Sequence, residues 1–187
     1  RLLKGELSRD DPYGALQKKL GWELPGKDPT ELAARWVEEM DGQGVERMVL
    51  MPGVVGDEES VSAAVKAYPE RFTGYVMIDP TQDDAVSRAH RALTDLGLRG
   101  ITLFPAMHHF YAWDERFFPV YEEANRQGVP VFVHFGILKM GIRDRLGIPS
   151  KFDMRFSNPL DLSLPAREFP EVQFIIPHFG CGFFRET

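Results

Sequence analysis

The sequence predicts an α/β protein built on a parallel sheet, and two observations carry that prediction. From about residue 28 onward, segments with apolar residues at helical spacing alternate with short, continuously apolar segments. The apolar segments begin near residues 46, 72, 100, 131 and 172, so that one strand and helix together take some 26 to 41 residues. Continuously apolar strands that alternate with helices are typical of a parallel sheet covered by helices.

The predicted elements follow one another without a linker. The first helix begins at Asp28, which can cap it, continues with Pro29 in the first helical position and ends at Gly42. Further helices are predicted at about 58–68, 83–96, 115–127 and 159–168, and strands at about 46–51, 72–78, 100–104, 131–134 and 172–178. No low-complexity stretch interrupts this order, so residues 1–187 are interpreted as a single domain.

Five strands are compatible with two architectures. An open, doubly wound sheet could be complete with five, whereas a (β/α)8 TIM barrel needs eight strands and typically about 250 residues. No glycine-rich phosphate-binding fingerprint follows any strand, which argues against a nucleotide-binding open sheet. The sequence begins at Arg1 and stops soon after Gly182, and we expect both ends to lie inside a longer barrel.

The composition excludes several classes of protein. The net charge is −6 and no basic stripe is visible, which argues against nucleic-acid binding. No apolar run approaches the roughly 18 residues that a membrane span needs. Cys181 is the only cysteine, so no disulfide can form within the chain and a reducing compartment is the simplest location. We expect a soluble, cytoplasmic protein.

Two histidines stand at the carboxyl ends of predicted strands, each followed by the same dipeptide: His134-Phe135-Gly136 and His178-Phe179-Gly180. Catalytic groups gather at this edge of parallel sheets, and neighbouring strands lie about 4.8 Å apart. The two imidazoles could therefore share one metal ion, or one could hold the metal while the other moves protons. The alternative is that each is a buried polar residue satisfied by the backbone.

Two further groups are predicted to face substrate. His108 and His109 follow the strand before His134 and lie among Phe110, Tyr111 and Trp113, so they are candidates for lining the site. The loop 136–157 is rich in cations, including Arg143 and Arg145, which suit two-point binding of a carboxylate. An ordinary solvated loop is the alternative for both.

Three other polar residues are given no catalytic role. Asp79 follows a strand, but Asp79-Pro80-Thr81 favours a turn. Cys181 has no activating partner in the sequence pattern and is interpreted as a packed small residue. His90 lies in the middle of a predicted helix and is expected to be exposed to solvent.

Three segments give the sequence a specific resemblance. Residues 97–103, 119–124 and 128–134 resemble the middle of the amidohydrolase-2 family, the relatives of aminocarboxymuconate-semialdehyde decarboxylase. Residues 157–160 and 169–180 resemble the next unit of that family, so the similarity runs from about residue 30 to the end.

The resemblance implies a TIM barrel of which this chain covers roughly strands 2–6, with one divalent metal ion, usually zinc. Carried over by motif, His134 matches a metal ligand after the fifth strand and His178 the catalytic histidine after the sixth. The family's other ligands are a His-x-His pair and an aspartate on the first and last strands. No His-x-His occurs in this sequence, which leaves one expected ligand and the catalytic histidine.

The resulting hypothesis is a metal-dependent hydrolase or non-oxidative decarboxylase that acts on a small, carboxylated organic molecule. The cationic loop and the aromatic residues beside it favour a carboxylated substrate. The resemblance alone leads us to expect a homodimer. The alternative function is a non-catalytic α/β binding domain with an open five-stranded sheet and no metal.

Overall fold

The computed structural model describes residues 11–24, 26, 28–137 and 152–187. The helices are α1 (Pro12–Leu20), α2 (Pro29–Gly42), α3 (Glu58–Ala67), α4 (Ala85–Thr94), α5 (Pro105–His108), α6 (Phe118–Gln127) and α7 (Ser163–Glu168). The strands are β1 (Met48–Leu50), β2 (Phe72–Gly74), β3 (Val76–Met77), β4 (Ile101–Leu103), β5 (Val131–Val133) and β6 (Phe174–Ile175). Single 3-10 turns occupy Glu115–Phe117, Met154–Phe156, Pro159–Leu162 and Pro177–Gly180.

The helix boundaries follow the capping signals of the sequence. The Asp28 carboxylate accepts a hydrogen bond from the Thr30 backbone N–H at 2.8 Å, and Pro29 opens α2 as predicted. Helix α6 ends at Gly128, which has a φ of 63°, a conformation that glycine adopts without steric cost. The start of α2 and the end of α6 are therefore explained by local chemistry.

Several helices differ from the prediction: α5 was not predicted, and the helix predicted at 115–127 is α-helical only from Phe118. Helix α1 was not predicted, although Asp11 caps it by accepting a hydrogen bond from the Gly14 N–H at 2.9 Å. The helix predicted at 159–168 begins instead as the 3-10 turn Pro159–Leu162 and becomes α-helical only from Ser163. In this segment the Asn158 side chain accepts from the Leu160 N–H, which favours a tight first turn.

All paired strands are parallel and neighbours in sequence are neighbours in space. Strand β1 pairs with β2, and β3, β4, β5 and β6 pair in that order. The single strand predicted at 72–78 is divided at Tyr75: the Tyr75 N–H still donates to Leu50 on β1, whereas the Val76 N–H donates to Gly100 before β4. Such a shift of partner along one strand is expected where strands are staggered.

The core lies between the sheet and its helices. Ile101, Leu103, Val131 and Val133 are fully buried in it, so Thr102 and Phe132, which alternate with them, face the opposite side of the sheet. We call that side the inner face. Phe104 and His134 follow two residues later along β4 and β5 and are therefore aligned with the inner face. None of the helices in the described part of the chain is long and apolar enough to cross a membrane.

Candidate active site at the carboxyl ends of the strands

His134 is held at the end of β5 by the sheet itself. Its backbone N–H donates to the Leu103 carbonyl at 2.9 Å, so the pairing of β5 with β4 extends one residue beyond Val133. Its ring stacks on Phe104, with the two ring centres 5.3 Å apart and the planes 21° apart. The backbone and the aromatic neighbour together fix the direction of this imidazole.

His178 lies in a turn at the same edge of the sheet, after β6. It lies in the 3-10 turn Pro177–Gly180 with φ 40° and ψ 41°, in the left-handed region that costs a non-glycine residue about 1–2 kcal/mol. The His178 carbonyl accepts a hydrogen bond from the Cys181 N–H at 3.1 Å, which closes the turn. The side chain is exposed, in contrast to the half-buried His134.

The two imidazoles meet. Their Nε2 atoms are 3.1 Å apart, and the ring centres are 4.7 Å apart with an interplanar angle of 64°. The predicted convergence of the two strand ends is confirmed. At this distance one ring can donate an N–H to the other, or both lone pairs can point at one cation. Two nitrogens about 2.1 Å from a tetrahedral or octahedral ion are separated by about 3.0–3.4 Å, so the pair fits a metal ion.

The electrostatics of His134 favour the same chemistry. Burial lowers the pKa of the His134 imidazole, and the nearby His178 lowers that pKa further. A lowered pKa keeps the ring neutral, which is the form that binds a metal. The other ring nitrogen, Nδ1, is buried and finds no hydrogen-bond partner among the described residues. In most metal-binding histidines this second nitrogen donates a hydrogen bond. The surroundings of His134 therefore suit metal binding at Nε2, whereas Nδ1 has no hydrogen-bond partner among the described residues.

A third donor is not found within residues 11–24, 26, 28–137 and 152–187, where no group of three or more His, Cys, Asp or Glu residues converges. Zinc sites in enzymes usually have three protein ligands and a water molecule. The described residues therefore supply at most these two nitrogen atoms, and a metal ion bound here would need further ligands.

His108 and His109 lie at the end of α5, the short helix that follows β4 and Phe104. His108 ends α5, whose first turn follows Phe104, and burial lowers the pKa of its imidazole while Asp79 opposes that shift. His109 has a φ of 59° and its ring stacks on Phe156 at 5.7 Å. The contacts continue from Phe156 to Tyr111 at 4.6 Å and from Tyr111 to Trp113 at 5.2 Å. We call His109, Tyr111, Trp113 and Phe156 the aromatic wall.

Not every aromatic residue near His109 belongs to this wall. Phe110 is only 2% exposed and packs edge-on against Phe117, so it is a core residue.

The segment that begins at residue 152 is hydrogen-bonded to α5, because the Asp153 N–H donates to the Ala106 carbonyl at 2.9 Å. The wall is thus built from two loops, one after β4 and one after β5.

The cationic loop is only partly described. Arg143 and Arg145, the predicted carboxylate-binding residues, lie outside the described residues. Arg155 is described, and its guanidinium contacts both carboxylate oxygens of Asp153 at distances from 2.6 to 3.1 Å. These hydrogen bonds hold the pKa of Asp153 at about 2. The charge of Arg155 is therefore already balanced, and Arg155 is a weaker candidate for binding an anion than its position in the sequence suggests.

Asp79 and His90, to which no catalytic role was assigned, behave as predicted. Asp79 accepts hydrogen bonds from the Thr81 N–H and hydroxyl at 3.1 and 2.7 Å, which confirms the turn. The side chain of His90 is 54% exposed, as predicted, and its Nδ1 contacts the buried Glu123 carboxylate. The backbone of Cys181 contacts the site through hydrogen bonds to His178 and Ile137.

Sequence reasoning missed Phe104 and Ser157. Phe104 could have been found, because it follows Thr102 by two residues and so shares the inner face with His134. Ser157 is fully buried and its hydroxyl donates to the Gly136 carbonyl at 3.0 Å. No pattern in the sequence predicts that pairing, because the two positions are 21 residues apart in the chain.

Several solved structures are similar to this chain, three of which are described here, while comparison with curated proteins found no match. An uncharacterized TIM-barrel protein from Bordetella bronchiseptica is 22% identical with a TM-score of 0.65, covering 95% of this chain and 62% of that one. 5-Carboxyvanillate decarboxylase from Sphingomonas paucimobilis is 21% identical with a TM-score of 0.59, covering 78% and 51%. Dihydroxybenzoic acid decarboxylase from a Polaromonas species, solved with manganese and the inhibitor 2-nitroresorcinol, is 20% identical with a TM-score of 0.56, covering 93% and 63%.

These likenesses show the fold. The chain spans about half to two thirds of the length of these structures, so the described strands form part of a TIM barrel, as predicted. A family model described as amidohydrolase matches residues 23–187, which include both histidines of the pair. With that match over most of its length, the chain belongs to the amidohydrolase family.

Proposed function

We propose that this chain carries part of the active site of a metal-dependent hydrolase or non-oxidative decarboxylase that acts on a small carboxylated compound. The observation that carries the proposal is the 3.1 Å separation of the His134 and His178 Nε2 atoms at the carboxyl ends of adjacent strands. Membership of the amidohydrolase family supports it.

The two histidines have different proposed roles. His134 is half-buried, stacked on Phe104 and kept neutral by its lowered pKa, which suits a metal ligand. A divalent ion bound there would polarise a water or substrate oxygen. His178 is exposed at the same edge and would take a proton from, or give one to, the reacting group at its Nε2 atom.

We propose a carboxylated aromatic molecule as the substrate. The aromatic wall offers ring faces on which a substrate ring can pack, and His109 belongs to it. His108 would line the substrate site, and Arg143 and Arg145 would bind the carboxylate of the substrate. Two of the similar structures described above are named as decarboxylases of aromatic acids, which agrees with this choice.

The resemblance of the sequence favours zinc, whereas the Polaromonas structure holds manganese, so both are candidates for the metal ion. The cytoplasmic location and the homodimer stay predictions.

Metal analysis of the intact gene product tests the proposal. We expect about one divalent ion per chain, most of it lost in His134→Ala because a neutral nitrogen ligand is removed. His90→Ala is the matched control, since His90 lies on helix α4 and contacts Glu123. We expect that control to retain its metal. A wild-type protein that neither contains nor binds Mn²⁺ or Zn²⁺ would favour the non-catalytic binding domain instead.

Product analysis separates the two reactions. Release of CO2 from aromatic carboxylic acids without consumption of water would identify a decarboxylase. Opening of lactone rings, or hydrolysis of amides or esters, would identify a hydrolase. His178→Ala is expected to reduce either rate by a factor of about 10² to 10⁴, the usual contribution of a general acid or base.

A further inference from the structure

The loops that carry the two histidines touch each other at Gly136. This residue has a φ of 86°, and a Cβ atom built on it would lie 2.0 Å from the Gly180 carbonyl oxygen and 2.5 Å from the Cys181 carbonyl oxygen. Both oxygens are backbone atoms, so they cannot move away without moving the loop. The Ile137 N–H also donates to the Cys181 carbonyl at 3.0 Å. The loop after β5 and the loop after β6 are therefore in direct backbone contact.

Ser157 fixes Gly136 from the other side. The Gly136 N–H donates to the Ser157 carbonyl at 3.1 Å, and the Ser157 hydroxyl donates back to the Gly136 carbonyl at 3.0 Å. Ser157 is fully buried, so water does not compete for these hydrogen bonds. Gly136 is thus held between Ser157 and the Gly180–Cys181 backbone. We call these residues the loop clamp.

We infer that Gly136 and Ser157 are positioning residues that hold the His134 imidazole, the proposed metal ligand, in its place beside His178. The inference rests on the proposed function, because it assigns them a role only through the two histidines. Gly136 is two residues beyond His134, and Gly180 is two residues beyond His178. A displacement at the loop clamp would therefore move the His134 and His178 imidazoles, because only two residues of backbone separate each of them from the clamp.

The effect of a side chain at Gly136 depends on how far the two loops must move apart. Ordinary contacts of a Cβ atom begin at 3.4 Å, whereas a Cβ on Gly136 would lie 2.0 Å from the Gly180 oxygen. The two loops would have to separate by roughly 1.4 Å, nearly half of the 3.1 Å between the Nε2 atoms. Misplacement of reacting groups by about 1 Å can reduce catalysis by a factor of about 10².

Close approach must be distinguished from backbone conformation, because any side chain at a positive φ is strained. Gly128 provides the matched control: its φ is 63°, and a Cβ built on it meets no atom within 4 Å. Gly128→Ala therefore introduces the conformational strain without pressing two loops apart. Gly128 precedes β5, at the opposite end of that strand from His134.

The test compares Mn²⁺ affinity in the intact gene product for the wild type, Gly136→Ala, Ser157→Ala and Gly128→Ala. Equilibrium dialysis with metal analysis gives the dissociation constant, and thermal unfolding with near-ultraviolet circular dichroism reports whether each variant is folded. We expect Gly136→Ala to weaken Mn²⁺ binding at least tenfold and Ser157→Ala several-fold, in the range typical of residues that orient a metal ligand. Gly128→Ala should lower the melting temperature and leave the affinity unchanged.

The outcomes separate this inference from the proposed function. If the wild type binds Mn²⁺ and Gly136→Ala binds it equally well while folded, the positioning role is wrong and the proposed metal site survives. If Gly136→Ala does not fold, Ser157→Ala decides, and unchanged affinity in that variant overturns the inference. A wild type that binds no metal overturns both.

Discussion

The tripeptide His-Phe-Gly occurs twice at a strand end, and its two copies have opposite environments. Phe135 is fully buried in the core, whereas Phe179 is 80% exposed. His134 continues the pairing of β5 with β4, whereas His178 lies in a turn with a left-handed backbone. The same three residues therefore indicate the same edge of the sheet without determining which side chains are packed there.

The residues before each tripeptide explain the difference. Along β5 the alternation continues unbroken, so His134 shares the inner face with Phe132 and Phe135 shares the core with Val133. Strand β6 ends at Ile175, and Pro177 has no N–H with which to extend the ladder. The second tripeptide thus leaves the sheet before its phenylalanine can enter the core.

The largest expected effect is on stability and tests the contrast between the two phenylalanines. Phe135→Ala should reduce the free energy of unfolding by about 3–5 kcal/mol, the usual cost of emptying a core position. Phe179→Ala should change it by less than about 0.5 kcal/mol, as for other exposed positions. Denaturant unfolding of the intact gene product measures both. Similar losses in the two variants would mean that Phe179 is covered by a part of the protein beyond the described residues.

The contrast also shows how far the sequence could be interpreted. Apolar runs and caps predicted the order of strands and helices, and the shared edge of parallel strands predicted that His134 and His178 meet. The turn at His178 was not predictable from its own residues, because His and Phe rarely adopt a positive φ. The contact of Gly136 with Gly180 and Ser157 was equally hidden, since it joins loops that are 21 and 44 residues apart in the chain.

A smaller effect is expected from the backbone of Phe179, which has a φ of 51°. Phe179→Gly removes the left-handed strain of about 1–2 kcal/mol and adds the chain entropy that glycine brings to the unfolded state, about 0.4–1 kcal/mol. We expect a melting temperature that is equal to that of the wild type or slightly higher. The matched change Phe135→Gly should be strongly destabilising. A clear loss of stability in Phe179→Gly would show that the ring makes contacts that outweigh the strain.

A pH-dependent effect is expected in the segment 157–162, in which Ser157 contacts the first tripeptide at Gly136 and Pro159 lies beside Gly180 of the second. Burial raises the pKa of Asp161 in this segment to about 6, above the ordinary value near 3.9. The folded state therefore binds a proton more tightly than the unfolded state, and the free energy of unfolding falls as the pH rises from about 4 to about 6. Asp161→Asn, which resembles the neutral acid, should match the wild type in melting temperature at pH 4 and exceed it by a few degrees at pH 7. Equal melting temperatures at both pH values would mean that Asp161 ionises without cost, and that the segment 157–162 is insensitive to pH in this range.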